Sequence, residues 1–202
     1  EEREKNEPAE YCNVFFQFEN ANTNCQLIAS KKRSDYFTYL SSINDSIFGI
    51  KADAYEEIVY QDLYPGIDLI CTVDANRRGF EYSLHVEAGA DVSKFKMKIN
   101  GDYKRIVDSR DGSIIIKTKF GEITQTAPLT YYQNGGDIKS AFNVNDDVLS
   151  FVFPEGYDHS KSIIVDPFVN TNLNALSITK IGFDIDYDYA GNVYVFGGGD
   201  VT

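Results

Sequence analysis

The residues with the plainest chemical potential lie late in the chain, in DIDYDYAGNVYV, where Asp184, Asp186 and Asp188 alternate ahead of Gly191-Asn192. Closely spaced carboxylates suggest calcium, which takes oxygen ligands. The helix-loop-helix calcium loop wants acids at positions 1, 3 and 5, glycine at 6 and glutamate at 12. Counted from Asp184, position 6 is Tyr189 and position 12 is Val195; counted from Asp186, Gly191 falls at 6, but Ala190 at 5 and Gly197 at 12. Neither register fits. In a strand the three acids share one face, ~7 Å apart successively, too far to share an ion without a bend. The spacing predicts a hairpin: strand Phe183 to Tyr187, turn Asp188 to Gly191, strand Asn192 to Phe196. Asp184, Asp186 and Asp188 remain the calcium candidates, against an expectation of no metal and no cofactor.

Other catalytic constellations are sparse. The two histidines are His85, inside the strand pattern FEYSLHV, and His159, in a turn between Asp158 and Ser160. A Ser-His-Asp or Cys-His site must use one of them. There is no GxSxG elbow, HExxH, Walker A loop or GxGxxG. Cys12, Cys25 and Cys71 form no CxxC and have no histidine at zinc spacing. Cys71, in IDLICTV, reads as a buried thiol, while Cys12 and Cys25 lie in neighbouring strand-like segments and are either bridged or free. Acids are abundant enough that folding can pair two for glycoside cleavage. Tyr131-Tyr132 can stack on sugars or pack in a sheet. No catalytic set is expected.

The elements that must carry these residues read as strands almost throughout. Cys12-Val14-Phe16-Phe18 has the period of a half-buried strand. Cys25 to Ala29, Tyr36 to Leu40, Glu57 to Tyr60, Ile67 to Val73 and Phe80 to Val86 follow, and then eight more runs to Val165. Turn chemistry separates them, as in SRDGS at 109–113 and NGGD at 134–137. The best short-helix candidate is Ser42 to Phe48. One internal echo stands out: Val86-Glu-Ala-Gly-Ala-Asp91-Val-Ser93-Lys94 resembles Phe153-Pro-Glu-Gly-Tyr-Asp158-His-Ser160-Lys161. It reads as a repeated turn in which Asp and Ser bond nearby backbone, with a pair of ligand loops as the functional alternative.

Composition limits the partners. The chain has 202 residues, 43 % hydrophobic and 14 % aromatic, with a net charge of −12. That suits a β-rich core and disfavours double-stranded nucleic acid and anionic membranes, both of which select clustered cations. No stretch approaches the ~20 apolar residues of a membrane span. The opening EEREKNEPAEY reads as a solvated tail or a cut edge.

A family resemblance enters at Tyr60-Gln-Asp-Leu-Tyr64-Pro65-Gly66-Ile67-Asp68-Leu69. The run resembles the Y-x-x-[LV]-Y-P-G-I-D-L signature of an uncharacterised β-rich domain that precedes β-propeller repeats in bacterial secreted and surface proteins. Phe80-Glu-Tyr82, Val86 to Asp91, Tyr157-Asp158-His-Ser160 and Ile164-Val165-Asp166-Pro167 match its later motifs in order. DYDYAGNVYVFGG resembles the opening hairpin of a seven-bladed propeller repeat. The resemblance implies an exported, non-enzymatic module of Bacteroidota-like bacteria, with relatives that use the type IX secretion system. It implies partners among other protein chains or surface glycans, and possible association with an outer-membrane complex. It assigns no catalytic residues; Tyr64, Pro65, Gly66, Asp68, Asp166 and Pro167 are structural signature positions.

The expected architecture is all-β. Residues 1–10 form a charged tail. Residues 11–168 form a β-sandwich-like domain or two similar packed β-subdomains. Residues 169–202 form a linker and the first hairpin of an incomplete propeller blade. The hairpin reading has a direct check: titrating calcium to millimolar concentration should leave the melting temperature unchanged, whereas a bound ion would raise it with concentration.

Overall fold

The structure, a computed structural model, describes residues 12–43, 46–73, 80–172, 182–187 and 192–198. In chain order the strands are β1 Val14–Phe18, β2 Gln26–Ile43, β3 Ser46–Tyr64, β4 Ile67–Thr72, β5 Phe80–Val86, β6 Met97–Gly101, β7 Tyr103–Asp108, β8 Ile114–Thr118 and β9 Glu122–Gln125. They continue as β10 Leu129–Tyr132, β11 Asp137–Ile138, β12 Ala141–Asn145, β13 Val148–Val152, β14 Ile163–Asp166, β15 Phe168–Asn172, β16 Gly182–Tyr187 and β17 Asn192–Gly198. The helical structure among the described residues is one 3₁₀ turn, Val92–Lys94. The chain is all-β and sandwich-like. A six-stranded sheet runs β12-β13-β6-β1-β17-β16, and the other strands form an eleven-stranded sheet.

Alternation explains the strands. In β4 the buried positions are Ile67, Leu69 and Cys71, and in β5 they are Tyr82, Leu84 and Val86. The partners Asp68, Ser83 and His85 fall on the other face. Tyr64, Leu69, Leu84 and Val165 of the large sheet meet Phe16, Met97, Ile99 and Leu149 of the small one in a single core. Phe95 sits at its centre, 0 % exposed, with ring centroids 5.8 Å from Phe18, 6.1 Å from Tyr64 and 5.4 Å from Phe151.

The centre of the large sheet is a broken lane. β5 pairs with β4 on one side. On the other it pairs with Ile163, Ile164 and Val165, then with Phe168 and Val169 in the same register. β14 and β15 are thus one line along β5, interrupted at Pro167. The far side of that line meets β10 opposite β14 and β9 opposite β15. Between β9 and β10 lies Thr126-Ala127-Pro128. Two prolines, which cannot donate to a ladder, therefore fall at the same level. Thr126 mends the gap: its N–H donates to the Phe168 carbonyl at 2.8 Å, and its Oγ1 accepts from the Phe168 N–H at 3.1 Å.

The sequence reading holds for most strands and turns. Asp111-Gly112 makes the β7–β8 hairpin, with the Ser113 N–H on Asp111 Oδ1 at 3.0 Å. One element is corrected. The segment read as a short helix, Ser42 to Phe48, lies in strands where described: Ser42 pairs with Ile47 and Ile43 with Ser46. The ladder partner outweighs the weak local helix preference of a Ser- and Ile-rich segment. Cys25 to Ala29 and Tyr36 to Leu40 belong to the single strand β2, bent where Lys31 has φ 53° and the register slips between Lys32 and Tyr36. Past the 168 boundary, β15 continues within the large sheet to Asn172. The late hairpin is antiparallel as expected, Ile185 opposite Val195; its turn, residues 188–191, lies outside the described residues. β17 is not an open edge, because it also pairs with β1 through Phe15↔Tyr194 and Phe16↔Val193.

The chain crosses between sheets at Gly101, where φ is +106°. A Cβ there would lie 2.1 Å from the Asn13 carbonyl oxygen. The Asp102 N–H donates to that same oxygen at 2.6 Å, and Asp102 Oδ2 accepts from the Asn13 N–H at 3.0 Å. Gly101→Ala should therefore cost at least ~3 kcal/mol in urea denaturation. Gly112→Ala, with φ +83° but its nearest neighbour the Ala127 methyl at 3.3 Å, should cost about 1 kcal/mol.

Candidate functional site

The signature residues fall into two groups, one at each end of the central strands. At one end, Tyr64 pairs with Ile67 across the two-residue turn Pro65-Gly66. Proline presets its own φ, and Gly66 takes the +71° that the next position of such a turn requires. Tyr64 is 2 % exposed, and its hydroxyl donates to the Glu19 carbonyl at 2.8 Å. Asp68 Oδ1 accepts from the Asp62 N–H at 2.8 Å, steadying the bulge between Tyr60 and Tyr64. The Gly66 carbonyl accepts from the Glu87 N–H at 2.9 Å. A Cβ on Gly66 would meet the Ala90 methyl at 3.0 Å.

That contact leads into the two echo loops, which have the same build. The Asp91 carboxylate accepts from the Ser93 N–H at 3.1 Å and hydroxyl at 2.6 Å; Asp158 accepts from the Ser160 N–H at 3.0 Å and hydroxyl at 2.6 Å. The serine hydroxyl and N–H hold both acids below the usual carboxylate range. The loops also touch. The Gly89 N–H donates to the His159 carbonyl at 2.7 Å, and the Ala88 N–H to Ser162 Oγ at 3.2 Å. Tyr132 Oη accepts from the Asp158 N–H at 2.8 Å, and Lys161 Nζ stands 5.1 Å from the Tyr132 ring. The His159 ring lies 4.2 Å from that of Tyr157. Motifs more than ninety residues apart thus converge in one cluster. Asp68, Asp91 and Asp158 all accept from backbone N–H groups, Asp91 and Asp158 also from the serine two residues on, and Asp158 pairs with Lys161 Nζ at 3.3 Å; the backbone and serine bonds are the chemistry of turn fixation.

At the other end, on the outer face of the large sheet, Asp166 and Glu81 form a carboxyl pair. Phe168 is opposite Glu81, and the common register sets Asp166 diagonally across from it. Burial, with the Glu81 charge and hydrogen bond, pushes the Asp166 acid up to about 6. Its Oδ1 is buried with no hydrogen-bond partner. Tyr131 shares this face through the pairing of β10 with β14, and burial plus the two acids raises its phenol. Pro167 is fully buried. The Asp166-Pro167 signature marks the lane break. Glu81 was missed as a partner because diagonal neighbours eighty-five residues apart leave no trace in spacing.

The remaining candidates are placed as follows. His85 is exposed, opposite Asp68 and Ile164, and partial burial lowers its pKa. Asp184 and Asp186 lie on β16 opposite Phe196 and Tyr194; Asp188 lies outside the described residues. Among the described residues no three His, Cys, Asp or Glu side chains are grouped to hold a metal ion. All three cysteines are free. Cys12 Sγ donates to the Asp102 carbonyl beyond one end of β6, while Cys25 bonds Asn22 near Leu63, toward the other end. A strand's length of ~15 Å separates them, and a disulfide needs Cα atoms within ~7 Å. Cys71 is buried, which pushes its thiol up to about 12. Beside it, the Tyr82 hydroxyl donates to Gln125 Oε1 at 2.9 Å in the core, and Gln125 Nε2 has no partner.

Fold and site together define an all-β, sandwich-like domain whose signature residues shape turns and a lane break. The family model described as "Domain of unknown function (DUF7948)" matches residues 1–168, and the chain belongs to that family. No curated protein matches, and no solved structure matches. No helix among the described residues is long and apolar enough to cross a membrane.

The raised Asp166 acid predicts a pH dependence. Because its folded value lies above the unfolded one, the folded state holds a proton that the unfolded chain has released. Stability is then lost as pH rises from about 4 to about 6. Asp166→Asn should flatten that segment of the curve and, allowing for solvent screening of a half-exposed group, gain about 1 kcal/mol at pH 7 in urea denaturation.

Proposed function

We propose that the chain is a non-enzymatic structural or binding module of a secreted or cell-surface bacterial protein, serving adhesion or surface assembly. The observation that carries this reading is the β2–β3 ribbon. β2 and β3 pair from Gln26↔Gln61 to Ile43↔Ser46, but β4 joins β3 only from Glu57 onward. The ribbon runs roughly 35 Å beyond that point as two strands. Two strands alone are marginal in water, so a ribbon this long gains from lying against another surface. Three ion pairs lie along it: Lys31 with Glu57 at 2.6 Å, Lys32 with Asp53 at 2.5 Å, and Arg33 with Asp35 at 2.8 Å. Tyr36, 56 % exposed, stands where the base meets the arm. Another protein chain is the partner this geometry suits, and the family resemblance supports an exported setting.

The second reading is a component of an outer-membrane type IX secretion or gliding apparatus. A third is a carbohydrate-binding or carbohydrate-active protein, favoured by Tyr131 beside the Glu81–Asp166 pair. The expected outcome is no turnover of added glycans or peptides, and binding to a defined surface partner that falls about tenfold or more in Tyr36→Asp. A stoichiometric complex from native outer membranes would select the second reading. Hydrolysis of a glycan abolished by Glu81→Gln would replace the first with the third.

A further inference from the structure

We propose that the Asp166–Pro167 peptide bond is a self-cleavage site, with Asp166 as the nucleophile and Glu81 as the partner that supplies the proton. The sequence contains a single Asp-Pro pair, and the fold sets it at the break between β14 and β15. Proline holds the preceding residue extended, and its nitrogen, released as a secondary amine, is a more basic leaving group than an ordinary amide nitrogen.

The carboxylate needs no long-range positioning, since it is two bonds from the Cα of its own carbonyl; such proximity is the largest aid an intramolecular step can have. Asp166 Oδ1 is engaged by no donor, so attack breaks no hydrogen bond at that oxygen. The other requirement is a proton for the departing nitrogen. Glu81 hydrogen-bonds the Asp166 carboxyl; burial first, and then the Glu81 charge and that bond, raise the Asp166 acid to about 6, so near that pH a proton is held where the two carboxyls meet. Around the pair, the same sheet face carries Tyr131 from β10, Leu129 opposite Asp166, Phe168 from β15 and Thr72 from β4, with Glu57 of β3 and His85 of β5 beyond. Among these, Glu81 is the acid bonded to Asp166. Leu129 is 71 % exposed, so water reaches the neighbourhood.

The step balances without a cofactor. A carboxylate oxygen of Asp166 attacks the carbonyl carbon of its own residue and closes a cyclic anhydride. The C–N bond to Pro167 breaks, and its electron pair takes the proton shared with Glu81. Water then opens the anhydride, leaving Asp166 with its side-chain carboxyl and a new C-terminal one. This is one turnover on the chain's own backbone and needs no external substrate. β14 stays paired to β5 and β10, and β15 to β5 and β9, so the product is a nicked, assembled fold.

The test is incubation of the folded 202-residue chain at about pH 6 and physiological temperature, with intact mass measured after denaturation. Fragments 1–166 and 167–202 are expected. Glu81→Gln should slow their appearance about tenfold or more, and Asp166→Glu, which would need a larger ring, should suppress it. The rate should fall on either side of the pH at which the pair carries one proton. Circular dichroism establishes that each variant is folded; should Asp166→Glu not fold, Glu81→Gln, which is nearly isosteric, decides. No fragments over several days, equal rates in folded wild type and in urea, or a folded Glu81→Gln cut at the wild-type rate would each overturn the proposal.

Discussion

The structure depends on one aromatic contact. Phe95 has no solvent exposure and lies within about 6 Å of rings from both layers: Phe18 on the small sheet, Phe151 beside it, and Tyr64 at the end of β3 on the large one. With no long helix among the described residues to lay across a sheet, the fold buries one face of each sheet against the other. Rings supply the most buried surface per residue. The hydroxyl of Tyr64 closes the arrangement by bonding the backbone of Glu19, just past β1. The turn that follows Tyr64 is therefore anchored by the core, and the echo loops are anchored by that turn. Packing propagates from Phe95 to Gly66 and then to Asp91 and Asp158.

Much of this was legible from side-chain types. The alternation in IDLICTV and FEYSLHV gives β4 and β5, because a strand buried on one face must repeat every second residue. Asp111-Gly112 gives its hairpin, and Pro65-Gly66 its turn, because few residues accept those backbone angles. The Asp-x-Ser echo gives its loops, because the hydrogen bonds are local. What was not legible is non-local. No spacing rule tells that β5 has β4 on one side and a broken β14–β15 line on the other. The pairing of Glu81 with Asp166 follows from that register and from nothing nearer in sequence. The helix expected at Ser42 to Phe48 failed because a ladder partner on the opposite strand outweighs local preference, and that partner becomes visible only once the hairpin is closed.

The two groups of signature residues illustrate different uses of polar chemistry. In the loop cluster Asp91 and Asp158 accept from the serine two residues on, and their pKa values fall accordingly. In the lane break a partly buried carboxylate is placed beside a like charge with one oxygen unsatisfied, and its pKa rises. The Gln125 amide behind Tyr82 is a third case, a buried donor left over when one hydrogen bond is made. A polar group satisfied locally serves the backbone; one left short stores free energy that either destabilises the fold or is available for reaction.

The broken lane also has a mechanical meaning. Strand β15 is held on both edges, by β5 and by β9, and both partners run antiparallel to it. Tension applied along β15 therefore loads the flanking hydrogen bonds together, in shear, instead of opening them one at a time like a zipper. Pro167 sits where that load would pass into β14, and Thr126 bridges to Phe168 at the same level. The sheet thus resembles a clamp with its fulcrum at a proline: force arriving from the C-terminal side is shared with β9 and β5 before it reaches the core around Phe95.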